Sequence, residues 1–214
     1  MKIAIIGAGN VGGTIGTAWA GKGHQVVFAT RNVNDEKIKR LISDCKGKAA
    51  AASIPDAVAQ SDVVLLATPW QAAQQALQAA GNLSGKILVD AVNPLESSAA
   101  FLEKGLLVGH TTSAGEQIAQ WAKGAKVVKA FNTIGAQNMS HPKFGGQSAT
   151  MFICGDDADA KKAVKQLSDE LGFETVDAGA LKTARLLEPL AMLWIHLALG
   201  MKFGPNFGFK LIRP

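Results

Sequence analysis

The stretch Lys2-Ile3-Ala4-Ile5-Ile6-Gly7-Ala8-Gly9-Asn10-Val11-Gly12 decides the fold. Its first half is a short continuous apolar run, the pattern of a strand buried on both faces. Its second half is a Gly-x-Gly-x-x-Gly turn, and a helical pattern follows from Thr14 to Gly21. Strand, glycine turn and helix in that order are the context in which the motif holds a dinucleotide. Gly7 permits the tight turn, Gly9 keeps side-chain bulk away from a pyrophosphate, and Gly12 lets helix and strand pack closely. Free amides and the positive helix end then attract the phosphates.

Similar apolar runs recur along the chain. Strands are expected at Gln25–Ala29, Asp62–Ala67, Lys86–Asp90, Lys126–Phe131, Thr150–Cys154 and Glu174–Asp177. Helical patterns separate them. Asn34 is a plausible N-cap, with Asp35 and Glu36 in the first turn and Ile38, Leu41, Ile42 and Cys45 on one stripe. Ser113 and Glu116 have capping-box spacing ahead of Ile118 and Trp121. A further helix follows Asp156–Asp159, with Ala163, Val164, Leu167 and Leu171 inward and Gly172 ending it. This alternation predicts an α/β protein: a Rossmann-type, doubly wound, mostly parallel sheet. After Gly179 the pattern becomes an apolar helix from Leu181 to about Leu199, then a Gly/Phe-rich tail. The expected division is a dinucleotide-binding domain over 1–179 and a small C-terminal helical subdomain over 180–214. The subdomain's apolar helix would be buried within the chain, cover the crevice, or make a homodimer through Met192, Trp194 and Met201.

The adenosine end is readable from the second strand. An NAD enzyme usually places a carboxylate there for the ribose 2′-hydroxyl. Here the residues are Thr30-Arg31-Asn32, and no acid occurs before Asp35. The Arg31 guanidinium suits a 2′-phosphate, so the expected cofactor is NADP(H). Thr30 would add a hydroxyl donor, and Lys37 and Lys39 further charge. The later strands end in Ala67-Thr68-Pro69-Trp70, in Asn93-Pro94 and in Asn132-Thr133. In a parallel sheet these ends meet at one mouth. Trp70 would either wall the nicotinamide ribose or belong to the core, and Asn93, Asn132 and Thr133 would face the carboxamide. The full candidate cofactor set adds Ala8, Asn10 and Val11 of the glycine turn.

Composition narrows the remaining choices. Of 214 residues, 48% are hydrophobic and 18% charged, which is globular rather than disordered composition. The net charge of +5 is scattered, favouring small anionic ligands over nucleic acid. Cys45 and Cys154 lie far apart without a CxxC, so two buried thiols are expected rather than a metal site. The start of the chain reads as strand, not secretory leader, which implies a cytoplasmic protein. From Pro189 to Met201 there is no formal charge, but this run is short of the ~20 residues that span a bilayer. His24, His110, His141 and His196 are isolated, and no catalytic triad or carboxylate pair is present.

The motif stretches together resemble the F420-dependent NADP oxidoreductase family. Besides the glycine turn, Thr30-Arg31 and Thr68-Pro69-Trp70, they are Val127–Ile134, Ile153–Asp157 and Asp177–Leu181 leading to Ala184–Glu188. The Lys129-Ala130-Phe131-Asn132 form is similar to the reductase domains of STEAP metalloreductases. The resemblance implies hydride transfer between NADPH and a deazaflavin (F420) or a flavin such as FMN or FAD. The carriers hold the reactive atoms, so no catalytic side chain is required. It also places Arg185 near the second carrier, unless Arg185 pairs with Glu188 at i+3. Two other readings remain open at the level of sequence. One is an NADP(H)-binding redox sensor without turnover. The other is a reductase of a small imine or keto substrate, for which Lys129 would be the proton donor.

Overall fold

The computed structural model describes residues 1–96 and 100–214. Strand β1 (Lys2–Ile6) leads into α1 (Asn10–Gly21), then β2 (Gln25–Ala29) and α2 (Glu36–Asp44). β3 (Ala49–Ala52), α3 (Ile54–Ala59), β4 (Val63–Leu66), α4 (Trp70–Ala80) and β5 (Ile87–Asp90) follow. After α5 (Phe101–Lys104) and α6 (Ala114–Trp121) come β6 (Lys126–Lys129) and a hairpin of β7 (Lys143–Phe144) and β8 (Gln147–Ser148). The chain ends with β9 (Thr150–Gly155), α7 (Ala158–Leu171), β10 (Glu174–Asp177) and α8 (Ala184–Ile195).

Among the described residues, eight strands form one sheet in the order β3-β2-β1-β4-β5-β6-β9-β10. The first six are parallel, the Rossmann order, with Ile3 opposite Val26 and Val63. β9 meets β6 antiparallel, Val128 facing Gly155 and Lys129 facing Cys154, and β10 is parallel to β9. The sheet is therefore mostly parallel, as the alternating pattern predicts.

Alternation along β1 explains its unbroken apolarity. Ile3 and Ile5 join Trp19, Phe28 and Leu65 on one face; Ala4 and Ile6 join Val27, Leu66 and Ile118 on the other. Each fully buried Ile or Leu here stabilises the fold by about 2 kcal/mol. Trp19 satisfies its indole N–H on the Leu167 carbonyl at 3.0 Å, joining α1 to α7.

Several local expectations are corrected. Helix α1 starts at Asn10, directly on the glycine turn, rather than at Thr14. The cap of α2 is Asp35, whose carboxylate accepts from Lys37 N; Asn34 instead donates its amide to Asn32 Oδ1. In α7 Ala160 is buried and Ala163 only partly so. β6 stops at Lys129 because Phe131 adopts φ +63. The apolar C-terminal run is not one α-helix. A 3₁₀ turn (Leu181–Thr183) precedes α8, and a π turn (His196–Gly200) follows it. Trp194 turns inward, stacking on Phe207 at 5.1 Å and donating to its carbonyl at 3.0 Å. The capping box at Ser113 forms as expected, with Glu116 N donating to Ser113 Oγ.

Candidate functional site

The glycine turn shapes one end of the crevice. Gly7 has φ +98, and a Cβ there would lie 2.5 Å from the Ala67 carbonyl oxygen. A Cβ on Gly12 would lie 2.0 Å from Gly7 O, so neither position accepts a side chain. A Cβ on Gly9 would meet nothing within 4 Å: this side of the turn faces open space. No side chain caps α1. Its first amides are thus left for an outside acceptor, which is how a helix N-terminus receives a pyrophosphate.

A cleft of about 360 Å³ continues from this turn, lined by Gly7, Thr30, Arg31, Thr68, Pro69 and Ile54, among others. Sequence-predicted residues from the ends of β1, β2 and β4 therefore meet in one place. Arg31 is exposed and enters no ion pair among the described residues. Its loop is stitched from within. The Thr30 hydroxyl donates to Asn32 O and accepts from Asn32 N, both at 3.1 Å. The expected donor on Thr30 is consequently spent inside the loop, and Arg31 and Lys37 are the cations here that enter no ion pair among the described residues. Lys39 is tied to Glu36 at 2.8 Å. Trp70 does not line this cleft; it packs on Trp121, ring centroids 5.1 Å apart. Ala8, Gly9, Asn10, Val11, Gly12, Asn32 and Ala67 lie outside the lining of this cleft, as do Asn93, Pro94, Asn132 and Thr133 at the ends of β5 and β6.

The ends of β5 and β6 form a second polar group. Asn93 Nδ2 donates to Asn132 O at 2.9 Å, and Asn132 Nδ2 donates to Asn93 Oδ1 and to Leu187 O, each at 3.1 Å. Pro94 and Thr133 are buried beside them. Two buried polar atoms in the candidate set lack a partner: Thr68 Oγ1 and Asn132 Oδ1. Buried polar atoms are normally satisfied, and each such exception calls for a partner. An amide-bearing ligand at this mouth would supply one. The open turn, the unpaired Arg31 and these two atoms together fit a phosphorylated nicotinamide dinucleotide.

Below the asparagines lies a sealed ionic cluster that sequence reasoning missed. Lys129 is fully buried, with Nζ 2.8 Å from Asp90 Oδ2, 3.0 Å from Glu188 Oε1 and 2.7 Å from Val92 O. Burial alone pushes its pKa down, but Asp90 and Glu188 more than offset this and hold it above its ordinary value. Its Nζ is enclosed by these three acceptors and has no solvent-exposed surface. Glu188 also receives Ala114 N and Gly115 N, at 2.9 and 3.0 Å. It is therefore unavailable to Arg185, which instead donates to Glu116 through Nε and Nη2 at 2.8 and 2.6 Å. That bond to Arg185 is the chief reason the Glu116 carboxyl is held below its usual range. Burial pushes the nearby Cys154 thiol up to about 12. Cys45 and Cys154 are both free and buried. Among the described residues there is no metal-binding cluster, and no helix is long and apolar enough to cross a membrane.

Known proteins can now be set beside this geometry. The sequence profile described as "NADP oxidoreductase coenzyme F420-dependent" matches residues 2–94. A crystal structure of a provisionally assigned F420-dependent NADP reductase from Arthrobacter sp. FB24 is 37% identical, covers 100% of both chains and superposes with a TM-score of 0.88. The chain belongs to the F420-dependent NADP oxidoreductase family. It is thus an NADP(H)-dependent oxidoreductase. The F420-dependent NADP reductase of Methanocaldococcus jannaschii is 29% identical over 94% of each chain. The metalloreductase STEAP3 of Rattus norvegicus is 31% identical over 99% of this chain, which spans only 42% of that relative.

Proposed function

We propose that this chain transfers hydride between NADP(H) and a deazaflavin (F420) or flavin-type acceptor. The observation that carries the reading is the polar inventory of the crevice. At the mouth the side chains ending β5 and β6 are the amides Asn93 and Asn132 and the Thr133 hydroxyl, and the one ammonium is sealed beneath them. Such groups orient a ring and move no proton. Hydride exchange between two ring systems asks for no more than proximity, orientation and exclusion of water. The Gly7–Gly12 turn would hold the pyrophosphate, and Arg31 the 2′-phosphate. Asn132 would meet the carboxamide through Oδ1. When bound, NADPH supplies the hydride from its nicotinamide ring. Residues 180–214, read as a separate covering segment, would shield that ring through α8. The exposed apolar side chains Leu186, Leu193, Leu199, Met201 and Phe203 support a homodimer formed through the same segment. The protein would work in the cytoplasm with small-molecule partners.

The test is stopped-flow oxidation of NADPH with F420, FMN and FAD in turn. Rapid transfer to one of them is expected. Tight NADPH binding with no transfer to any acceptor would instead establish the redox-sensor reading.

A further inference from the structure

We propose that Lys129 is a positioning residue for the redox end of the crevice. It sets the loops carrying Asn93 and Asn132 and latches α8 across them. The proposal rests on the reading that this crevice holds NADP(H).

Buried ion clusters are weak evidence for stability, since well-packed apolar replacements often serve as well. The geometry of this one points elsewhere. An ammonium has three donors; Lys129 donates to Asp90 at the end of β5 and to the Val92 carbonyl just beyond it, and forms an ion pair with Glu188 on α8. Asp90 ends β5, and its other oxygen accepts Val92 N at 2.8 Å. Val92 is then held at both its N–H and its carbonyl, which fixes the approach to Asn93. Glu188 lies on α8 and also receives the first amides of α6. The neighbouring Leu187 carbonyl accepts from Asn132. Thus α8 is fastened at consecutive residues, once to Asn132 and once to Lys129.

The close fit is visible at Gly115. A Cβ there would come within 3.0 Å of Ala184 Cβ and 3.4 Å of Asp90 Oδ2. Between Lys129 and Asn132 the chain passes through Phe131, buried and at φ +63, a backbone state that costs energy in a bulky residue. Its amide donates to the Met151 sulfur at 3.0 Å. This turn brings Asn132 to Asn93 and is over-determined by the contacts around it. The cluster carries two carboxylates and one ammonium, the excess negative charge facing the positive end of α6. Removing the ammonium would leave two buried carboxylates on opposite sides of one void. The expected result is movement of α8 and of the Val92–Asn93 turn, not of the glycine turn or Arg31.

The experiment measures dissociation constants for NADPH and for 2′,5′-ADP, which reaches only the adenosine end. It adds the single-turnover rate of hydride transfer from NADPH to whichever of F420, FMN and FAD the wild type reduces fastest, in wild type, Lys129→Met and Glu188→Gln. Glu188→Gln keeps the Lys129–Asp90 pair and lowers the buried charge, so it remains informative should Lys129→Met not fold. The transfer rate is expected to fall about 100-fold, the cost of roughly 1 Å of misplacement, with NADPH weakened and 2′,5′-ADP changed by less than about twofold. A wild type that binds both ligands, with variants that weaken both alike or leave transfer unchanged, overturns the positioning role alone. A wild type that binds neither overturns the cofactor reading, and this proposal with it.

Discussion

Arg31→Ala is the most direct test of the cofactor assignment. The guanidinium is exposed at the tip of a loop stitched by Thr30 and Asn32, and it enters no ion pair among the described residues. Nothing within the protein is lost when it is removed, so the melting temperature should not move. What is lost is a charge-assisted contact to the 2′-phosphate, worth about 1.5 to 3 kcal/mol in general. The open cleft favours the lower figure, because solvent and salt screen such a pair within about 10 Å at 0.1 M. About 1.4 kcal/mol is tenfold in affinity, so NADPH should bind roughly tenfold more weakly and NADH unchanged. Arg31→Glu adds repulsion of similar size, for about 100-fold against NADPH in all. Fluorescence titration with both nucleotides at two salt concentrations measures this, and the wild-type preference should shrink as salt rises. Equal weakening of NADPH and NADH, or an Arg31→Glu variant that still prefers NADPH, would refute the reasoning.

Other outcomes follow from the same geometry. Gly12→Ala puts a methyl 2.0 Å from the Gly7 carbonyl and should destabilise the chain by about 3 kcal/mol while abolishing NADPH binding, read by denaturant titration and by fluorescence. Glu116 and Asp157 are held below their ordinary values of 4.5 and 3.8, chiefly by the Arg185 bond and by the Ala160 amide respectively. Their contribution is present above those values and lost as pH falls through the depressed ones. Stability measured against pH should therefore drop below about pH 4, less steeply in Glu116→Gln. Leu193→Glu, on the exposed face of α8, should convert a dimer to monomer in sedimentation, and a wild type that sediments as a monomer would remove the dimer.

The parallel half of the sheet could be read from the chain because its strands are buried on both faces and leave unbroken apolar runs. β3 could not: Ala49–Ala52 has no β-branched or aromatic residue, and only pairing with β2 makes it a strand. α3 is six residues long and too short for a periodic signal. At the site, the glycine turn and Arg31 stood out because local chemistry alone explains them. The Lys129 cluster did not, because Asp90, Lys129 and Glu188 are distant in sequence and join only through the sheet order and α8. The single available signal was Lys129 itself, a lysine set directly between the apolar pairs Val127–Val128 and Ala130–Phe131. For Trp70 the sequence leaves both a ligand wall and the core open, and for Trp194 it suggests a dimer contact. Each found an aromatic companion, Trp121 and Phe207, that no local pattern announces.

The two free thiols fall on opposite sides of the sheet. Cys45 packs with the layer that holds Trp19 and Phe28, and Cys154 with the layer that holds Leu66 and Ile118. Burial raises the pKa of both and withholds the reactive thiolate while the chain is folded. Each is therefore a built-in reporter for one layer. The time courses of alkylation at the two positions under mild denaturant will tell whether the halves of the sandwich open in concert or one before the other.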